Sequence, residues 1–203
     1  MSSDLQKLFN LTDKVVVITG AAGLLGRKHA EVVAAYGGHP VLLDISEEEV
    51  VLLANELNDR FDVQASGHIV DITCETQIEE NLKKLIKHYG KLDGLVNNAA
   101  NNPRVEDNSV KNFSRLENFP IEAWSRDLAV GLTGAFLCAK HYGYQIAQNP
   151  DGGSIVNISS DLGLIAPDQR LYVQPGVDPS QQPVKPITYS AVKAGLVGLT
   201  RYL

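Results

Sequence analysis

Five short runs rich in Val, Ile and Leu, at residues 14–19, 39–44, 63–71, 92–97 and 154–159, alternate with longer stretches of helical periodicity. Runs this short and this uniformly apolar suit strands buried on both faces, and strands separated by helices pair in parallel. The rhythm predicts an α/β fold: a doubly wound parallel sheet with helices on both faces. The helices expected between strands cover residues 24–36, 47–60, 75–89 and 121–148, with a last one over 188–203. Ser46 followed by Glu47, Glu48 and Glu49 reads as a capping box, its acids placed where a helix N-terminus is positive. Pro120 suits the first turn of the helix at 121–148.

A chain of 203 residues buries one sizeable core, so a single domain over 1–203 is expected. The formal charge is −6, with no long basic run, which argues against nucleic acid and against an anionic membrane surface as partners. No apolar run approaches the roughly 20 residues needed to span a bilayer. Residues 1–10 lack the apolar centre of a signal peptide. A cytoplasmic protein is expected, with Cys74 and Cys138 as two buried thiols in a reducing compartment. His29, His39, His68, His88 and His141 show no metal-ligand spacing, so no metal is expected.

Two segments break the rhythm. Residues 98–118 are polar, and residues 164–187 hold five prolines. Both follow strand ends, where open α/β sheets bind ligands, and both read as lids over such a site. Arg104, Lys111 and Arg115 in the polar segment are expected to be solvated.

The first strand runs into Thr19-Gly20-Ala21-Ala22-Gly23-Leu24-Leu25-Gly26, where a helix begins. Glycines permit a tight turn and bring backbone N–H groups close to a pyrophosphate, which the helix N-terminus also favours. Asp44 ends the next strand, placed to accept hydrogen bonds from adenosine ribose hydroxyls. It repels the 2′-phosphate of NADP, so NAD is the expected cofactor and NADP the disfavoured one.

Tyr189 and Lys193 stand four residues apart on the last helix and share a face. A free phenol is a poor base at neutral pH, and a nearby ammonium favours its ionised form. Ser159 and Ser160 end the fifth strand, where a hydroxyl can hold a substrate oxygen while a tyrosine exchanges its proton.

With these pieces assembled, the chain resembles the short-chain dehydrogenase/reductase family. The matching stretches are TGAAGLLG, LLDIS, VDIT, LVNNAA, SIVNISSDLG and YSAVKAG, in the family's order. The resemblance implies a Rossmann-like fold. It implies that residues of the glycine turn (Gly20, Ala22, Gly23, Leu24, Leu25 and Gly26) bind the pyrophosphate. Asp44 with Ile45 would select NAD. Asp71 and Ile72 would sit beside the adenine, and Asn98, Ala99 and Ala100 along the ribose side. Ser160 would position the substrate, Tyr189 would act as general acid/base, and Lys193 would assist it and bond the nicotinamide ribose. A homodimer or homotetramer is implied as well, with Trp124 and Phe136 in core or subunit packing.

Four features depart from the family pattern. The glycines follow G-x-x-G-x-x-G, which is closer to the extended, nucleotide-sugar branch. Gly131 stands where many members carry an asparagine of the proton relay. The stretch between Ser160 and Tyr189 is longer than usual, which implies an enlarged lid. The family's last two strands are absent, so the domain reads as C-terminally incomplete.

The expected activity is reversible hydride transfer between NAD and a secondary alcohol or ketone. Within the family, ITGAAGLLGRKHAEV and PVKPITYSAVKAGLVGLTRYL are similar to bacterial oxidoreductases of surface-glycan and flagellin modification, which implies a sugar or sugar-nucleotide substrate. Two rival readings are a sugar-nucleotide epimerase or dehydratase that retains NAD, and a non-catalytic NAD-binding protein.

Overall fold

The structure is a computed structural model that describes residues 8–101 and 114–203. The chain groups into two compact units: residues up to Ala99 together with Gly134–Asn157, and Ala100–Thr133 together with Ile158–Leu203.

The first unit holds the sheet. Strands β1 (Val15–Thr19), β2 (His39–Asp44), β3 (Ser66–Ile69), β4 (Gly94–Asn97) and β5 (Ser154–Asn157) lie in the order β3-β2-β1-β4-β5. All four pairings are parallel, and Val17 of central β1 lies between Val41 and Leu95. Alternate side chains point to opposite faces of a sheet. Val15, Val17, Val41 and Leu43 therefore enter one buried cluster with Ile78, Leu85 and Tyr142, while Ile18 and Leu42 enter another with Val33, Val50 and Leu57. Fully burying each such side chain contributes about 1.5–3 kcal/mol. The doubly wound architecture expected from the apolar rhythm is present.

Helices α1 (Leu24–Ala35), α2 (Glu47–Arg60) and α3 (Glu75–Tyr89) follow β1, β2 and β3. The last two match the expected limits, and α1 is one residue shorter. Ser46 stands at the N-cap of α2 without a side-chain bond to the helix, so the capping box does not form. Its backbone N–H donates instead to Asp44 Oδ1 at 3.4 Å.

The expected strand at 63–71 shrinks to β3. The amides before it go elsewhere: Val63 N–H to the Phe61 carbonyl, Gln64 N–H to His39 Nδ1, and Ala65 N–H to Asn58 Oδ1. The expected helix at 121–148 is not uniform. It runs as α4 (Ile121–Leu128), a π-helical turn at Ala129–Thr133, α5 (Gly134–Cys138), a second π turn at Ala139–Gly143, and α6 (Tyr144–Ala147). Apolar periodicity alone does not reveal such widened turns. Cys138 is fully buried, and burial pushes its thiol up to about 12. Cys74 is only half-buried, against expectation, at the N-cap of α3.

In the second unit, α7 (Ile187–Tyr202) is packed by α4, by the turn at Ala129–Thr133 and by a 3-10 turn at Asp161–Gly163. The proline-rich segment before α7 carries two further 3-10 turns, Gln169–Tyr172 and Pro179–Gln181. Among the described residues no helix is long and apolar enough to cross a membrane.

Asp93 ties the start of β1 to the start of β4. Its carboxylate accepts from Val15 N–H at 3.0 Å and from Lys14 Nζ at 3.1 Å, with Lys91 Nζ also at 3.1 Å. Burial pushes this carboxyl up, but the amide and the two ammonium groups outweigh it, and the net direction is down. A depressed carboxyl stabilises the fold above its unfolded pKa of about 3.9, and that contribution is lost as pH falls through the lower folded value. Asp93→Asn is expected to lower stability by about 1–3 kcal/mol at neutral pH. In urea melts the deficit should shrink below about pH 4 as the wild-type carboxylate takes up its proton.

Candidate active site

The glycine turn belongs to the first unit. Gly20 takes a φ of +63°, a left-handed conformation that costs a glycine little. It also lies so close to Ala99 that a Cβ on it would come within 2.8 Å of the Ala99 Cα. A Cβ on Gly26 would run into the Gly20 carbonyl oxygen and lie 2.7 Å from the Ala21 Cα. The two glycines let the end of β1 fold back tightly against the first turn of α1. Gly23 caps α1 without a side-chain bond, and no acid lies in that first turn. A helix N-terminus left without its own carboxylate suits an anion. Leu24 and Leu25 are exposed beside it, as is Ile45 after β2.

The turn is braced from three sides. Thr19, 1% exposed, accepts at its hydroxyl from the N–H groups of Asn98 and Ala99, each at 3.1 Å. Asn98 Nδ2 donates to the carbonyls of Thr19 and Gly20 at 2.9 and 3.0 Å. Asp44 Oδ2 accepts from Ala22 N–H at 3.0 Å, and its Oδ1 accepts from Ile45 N–H at 2.8 Å. Sequence reading missed Thr19, whose only sign was its place as the last residue of the strand. It also missed Arg27, which donates from Nε to the Ala22 carbonyl and pairs with Glu49.

Asp71 and Ile72 serve local structure as built. Asp71 Oδ1 accepts from the N–H and hydroxyl of Thr73, at 2.9 and 2.7 Å. Ile72 is 7% exposed and part of the core.

In the second unit, Tyr189 and Lys193 line one small cavity with Ala100, Asn101, Asp127 and Gly131. Lys193 is 6% exposed, and its Nζ donates to the Ile158 carbonyl at 2.5 Å. Its ammonium lies 5.8 Å from the centre of the Tyr189 ring. Burial pushes Lys193 down, and the charge of Lys185 adds to that. Lys185, at the end of the proline-rich segment, was not singled out in the sequence, yet its Nζ stands 3.8 Å over the Tyr189 ring. Two ammonium groups thus lie within about 6 Å of the centre of one phenol ring, within cation–π range.

The two serines after β5 differ. Ser159 Oγ donates to the Lys193 carbonyl at 2.8 Å, fixing the catalytic-helix candidate at its second turn. Ser160 Oγ donates to Asp161 Oδ1 at 2.8 Å and caps the turn that follows; it is not among the residues lining the cavity.

Of the other expectations, Arg104 and Lys111 lie outside the described residues. Arg115 pairs with Glu117 at 2.6 Å. Trp124 is half-buried and Phe136 is 49% exposed, so neither is in the core. One grouping escaped the sequence spacing: Glu75, Glu79 and His141 bring ligand-type atoms within 4.8 Å of one another. Glu75 is already held by Lys140 at 2.6 Å and His141 at 2.7 Å, and these partners keep its carboxyl below its ordinary range.

Residues 14–172 match the family model described as short chain dehydrogenase. The chain is 34% identical over 197 residues to an NAD-dependent glycerol dehydrogenase of Listeria innocua serovar 6a, covering 97% of this chain and 66% of that protein. It is 32% identical to a trans-4-hydroxycyclohexanecarboxylate dehydrogenase of Sinomonas cyclohexanicum, covering 94% and 65%. The chain thus spans just under two thirds of the length of these relatives. Among solved structures, a short chain dehydrogenase from Mycobacterium smegmatis superposes with a TM-score of 0.77 at 26% identity, covering 95% of this chain and 70% of that one. NAD-bound xylitol dehydrogenase shares the fold with a TM-score of 0.76 at 24% identity, covering 95% and 64%. On the family match, together with the glycine turn and the Tyr189/Lys193 pair, this chain belongs to the short-chain dehydrogenase family.

Proposed function

We propose that the protein containing this chain is an NAD-dependent oxidoreductase acting on a secondary alcohol or the matching ketone. The observation that carries this reading is the convergence of Tyr189 and a buried Lys193 ammonium on one cavity. An ammonium is rarely buried without a purpose, since desolvation opposes its charge. The braced glycine turn fits a pyrophosphate, with Gly20 to Gly26 lining its place, backbone N–H groups at the start of α1 donating to it, and Asp44 facing the adenosine ribose. Bound NAD supplies the hydride acceptor.

In the oxidation direction, ionised Tyr189 takes the hydroxyl proton of the substrate as the hydride leaves the carbon. Lys193 holds the charge balance, and Ser160 steadies the carbonyl as it forms. For Ser160 to do so, its hydroxyl must turn from Asp161 toward the substrate. Asp71, Ile72, Asn98, Ala99 and Ala100 complete the cofactor side of this assignment.

The relatives named above act on a polyol and on a cyclic hydroxy acid, which supports a small hydroxylated substrate. A sugar or sugar nucleotide of bacterial surface-glycan synthesis remains our narrower proposal, supported by the ITGAAGLLG and PVKPITYSAVKAG stretches. We take both units as parts of one nucleotide-binding domain, because the family match runs through both. A cytoplasmic homodimer or homotetramer completes the reading.

Two measurements test it. With full-length protein and a panel of polyols, sugars and sugar nucleotides, NADH should appear with at least one substrate. Tyr189→Phe should cut that rate by about 10²–10⁴-fold while leaving NAD binding intact; unchanged turnover would overturn the assignment. Asp44→Ala should weaken NAD binding by roughly 10–100-fold, read by calorimetry, because two hydroxyls lose a charged acceptor. A wild-type protein that prefers NADP would contradict the role given to Asp44.

A further inference from the structure

A carboxylate lies buried beside the Tyr189/Lys193 pair. Asp127 is 3% exposed, and burying a charge is costly unless its lone pairs are taken. Asn101 Nδ2 donates to its Oδ1 at 2.7 Å, and Thr188 Oγ1 donates to its Oδ2 at 2.5 Å. Both donors are neutral, and an ionised carboxylate offers about four acceptor positions. Two are therefore used by these bonds.

Asp127 lines the same cavity as Gly131, Thr188, Tyr189 and Lys193. The free volume there is about 10 Å³, which is close to what one water needs. Lys193 has three N–H donors, one of them committed to Ile158. Gly131 belongs to this arrangement: a Cβ at 131 would come within 2.6 Å of Val192 Cγ1, so no larger residue fits while Val192 stays. A cavity with a carboxylate on one wall and an ammonium on another has the polar partners that an enclosed water requires.

We propose that Asp127 is a positioning residue for the Tyr189/Lys193 pair. It holds the first turn of α7 through Thr188, and it anchors one water that links its carboxylate to the Lys193 ammonium. The inference rests on the assignment of Tyr189 and Lys193 to the reaction. It supplies what the glycine at 131 leaves open: a polar group of this chain that fixes the pair from the α4 side.

Among the described residues, the charged and titratable groups around Lys193 are few. Lys185 comes from the segment before α7, Tyr189 from α7 itself, Asp161 from the turn after β5, and Asp127 from α4; Glu122 and Arg126 of α4 are exposed, and the turn at Ala129–Thr133 brings none. Among the described residues, Asp127 is the buried acid of the set. Burial and Lys185 both make Lys193 release its proton more readily. A carboxylate reached through one water opposes them and keeps the ammonium charged to higher pH.

Three variants of the full-length protein test this, read as kcat, KM and the pH profile of kcat/KM. Asp127→Asn preserves shape but removes the charge. Its kcat should fall by roughly tenfold or more with KM for NAD little changed, and the alkaline limb of the profile should move down by about half a unit or more. Thr188→Val removes one bond and keeps the charge, so kcat should fall severalfold with the limb unmoved; Thr188→Ser should restore it. A folded Asp127→Asn variant with wild-type kcat overturns the proposal. So does a fall in kcat with the limb in place, which would mark a purely structural bond. If Asp127→Asn does not fold, Thr188→Val decides: unchanged kcat overturns the proposal, and loss rescued by Thr188→Ser supports it. A high-resolution crystal structure should place a water within hydrogen-bond reach of both Asp127 and Lys193, and a dry cavity overturns the link. Turnover that survives Tyr189→Phe would instead defeat the underlying assignment, and the failures separate because Asp127→Asn leaves the phenol in place.

Discussion

The tightest constraint in the first unit is the approach of Gly26 to the Gly20 carbonyl. No side chain fits between them, so the strand-to-helix turn exists only because both residues are glycine. Much else follows from that closeness. The Thr19 hydroxyl ties the end of β1 to Asn98 and Ala99, the Asn98 side chain closes the turn from the end of β4, and Asp44 closes it from β2. The sheet thereby carries its central loop as a rigid part, with backbone N–H groups presented at the start of α1. Preorganisation of this kind costs a bound pyrophosphate no ordering of the loop. It also explains why Asn98 and Asp44 cannot be sorted simply into structural or ligand-facing residues: each braces the turn and each borders the place a dinucleotide would lie.

The second unit solves a different problem, that of keeping charges away from water. Lys193 and Asp127 are both nearly inaccessible, and each is held mainly by neutral partners: a carbonyl for the ammonium, a hydroxyl and an amide for the carboxylate. Lys185 adds a second cation over the Tyr189 ring. A fold that only had to be stable would do better with apolar residues at these positions. Buried ionisable groups gathered around one cavity are instead the physical signature of a site whose charge distribution matters. Because Lys185 is carried by the long proline-rich segment, the field on the phenol depends on where that segment rests.

Much of this was legible in the sequence, for identifiable reasons. The parallel sheet and the places of its strands follow from short, doubly apolar runs, and α2 and α3 begin and end where periodicity and charge place them. The glycine turn and the Tyr189/Lys193 spacing could be read because the chemistry depends on residue type and local separation. What could not be read depends on contacts between distant residues. Asn58 captures the Ala65 amide and shortens β3. The helix at 121–148 widens into π turns at residues whose periodicity is unbroken. Asp127 carries no distinguishing signal in the sequence, and only packing reveals it as buried. Lys185 and Thr19 likewise acquire meaning from neighbours far along the chain.

The central claim is that the braced glycine turn is built to receive the pyrophosphate of NAD. A crystal structure of the full-length protein with NAD tests this most directly. The result expected is a pyrophosphate on the backbone N–H groups at the start of α1, with the adenosine ribose against Asp44. A dinucleotide bound away from the turn, or with its ribose remote from Asp44, would contradict it.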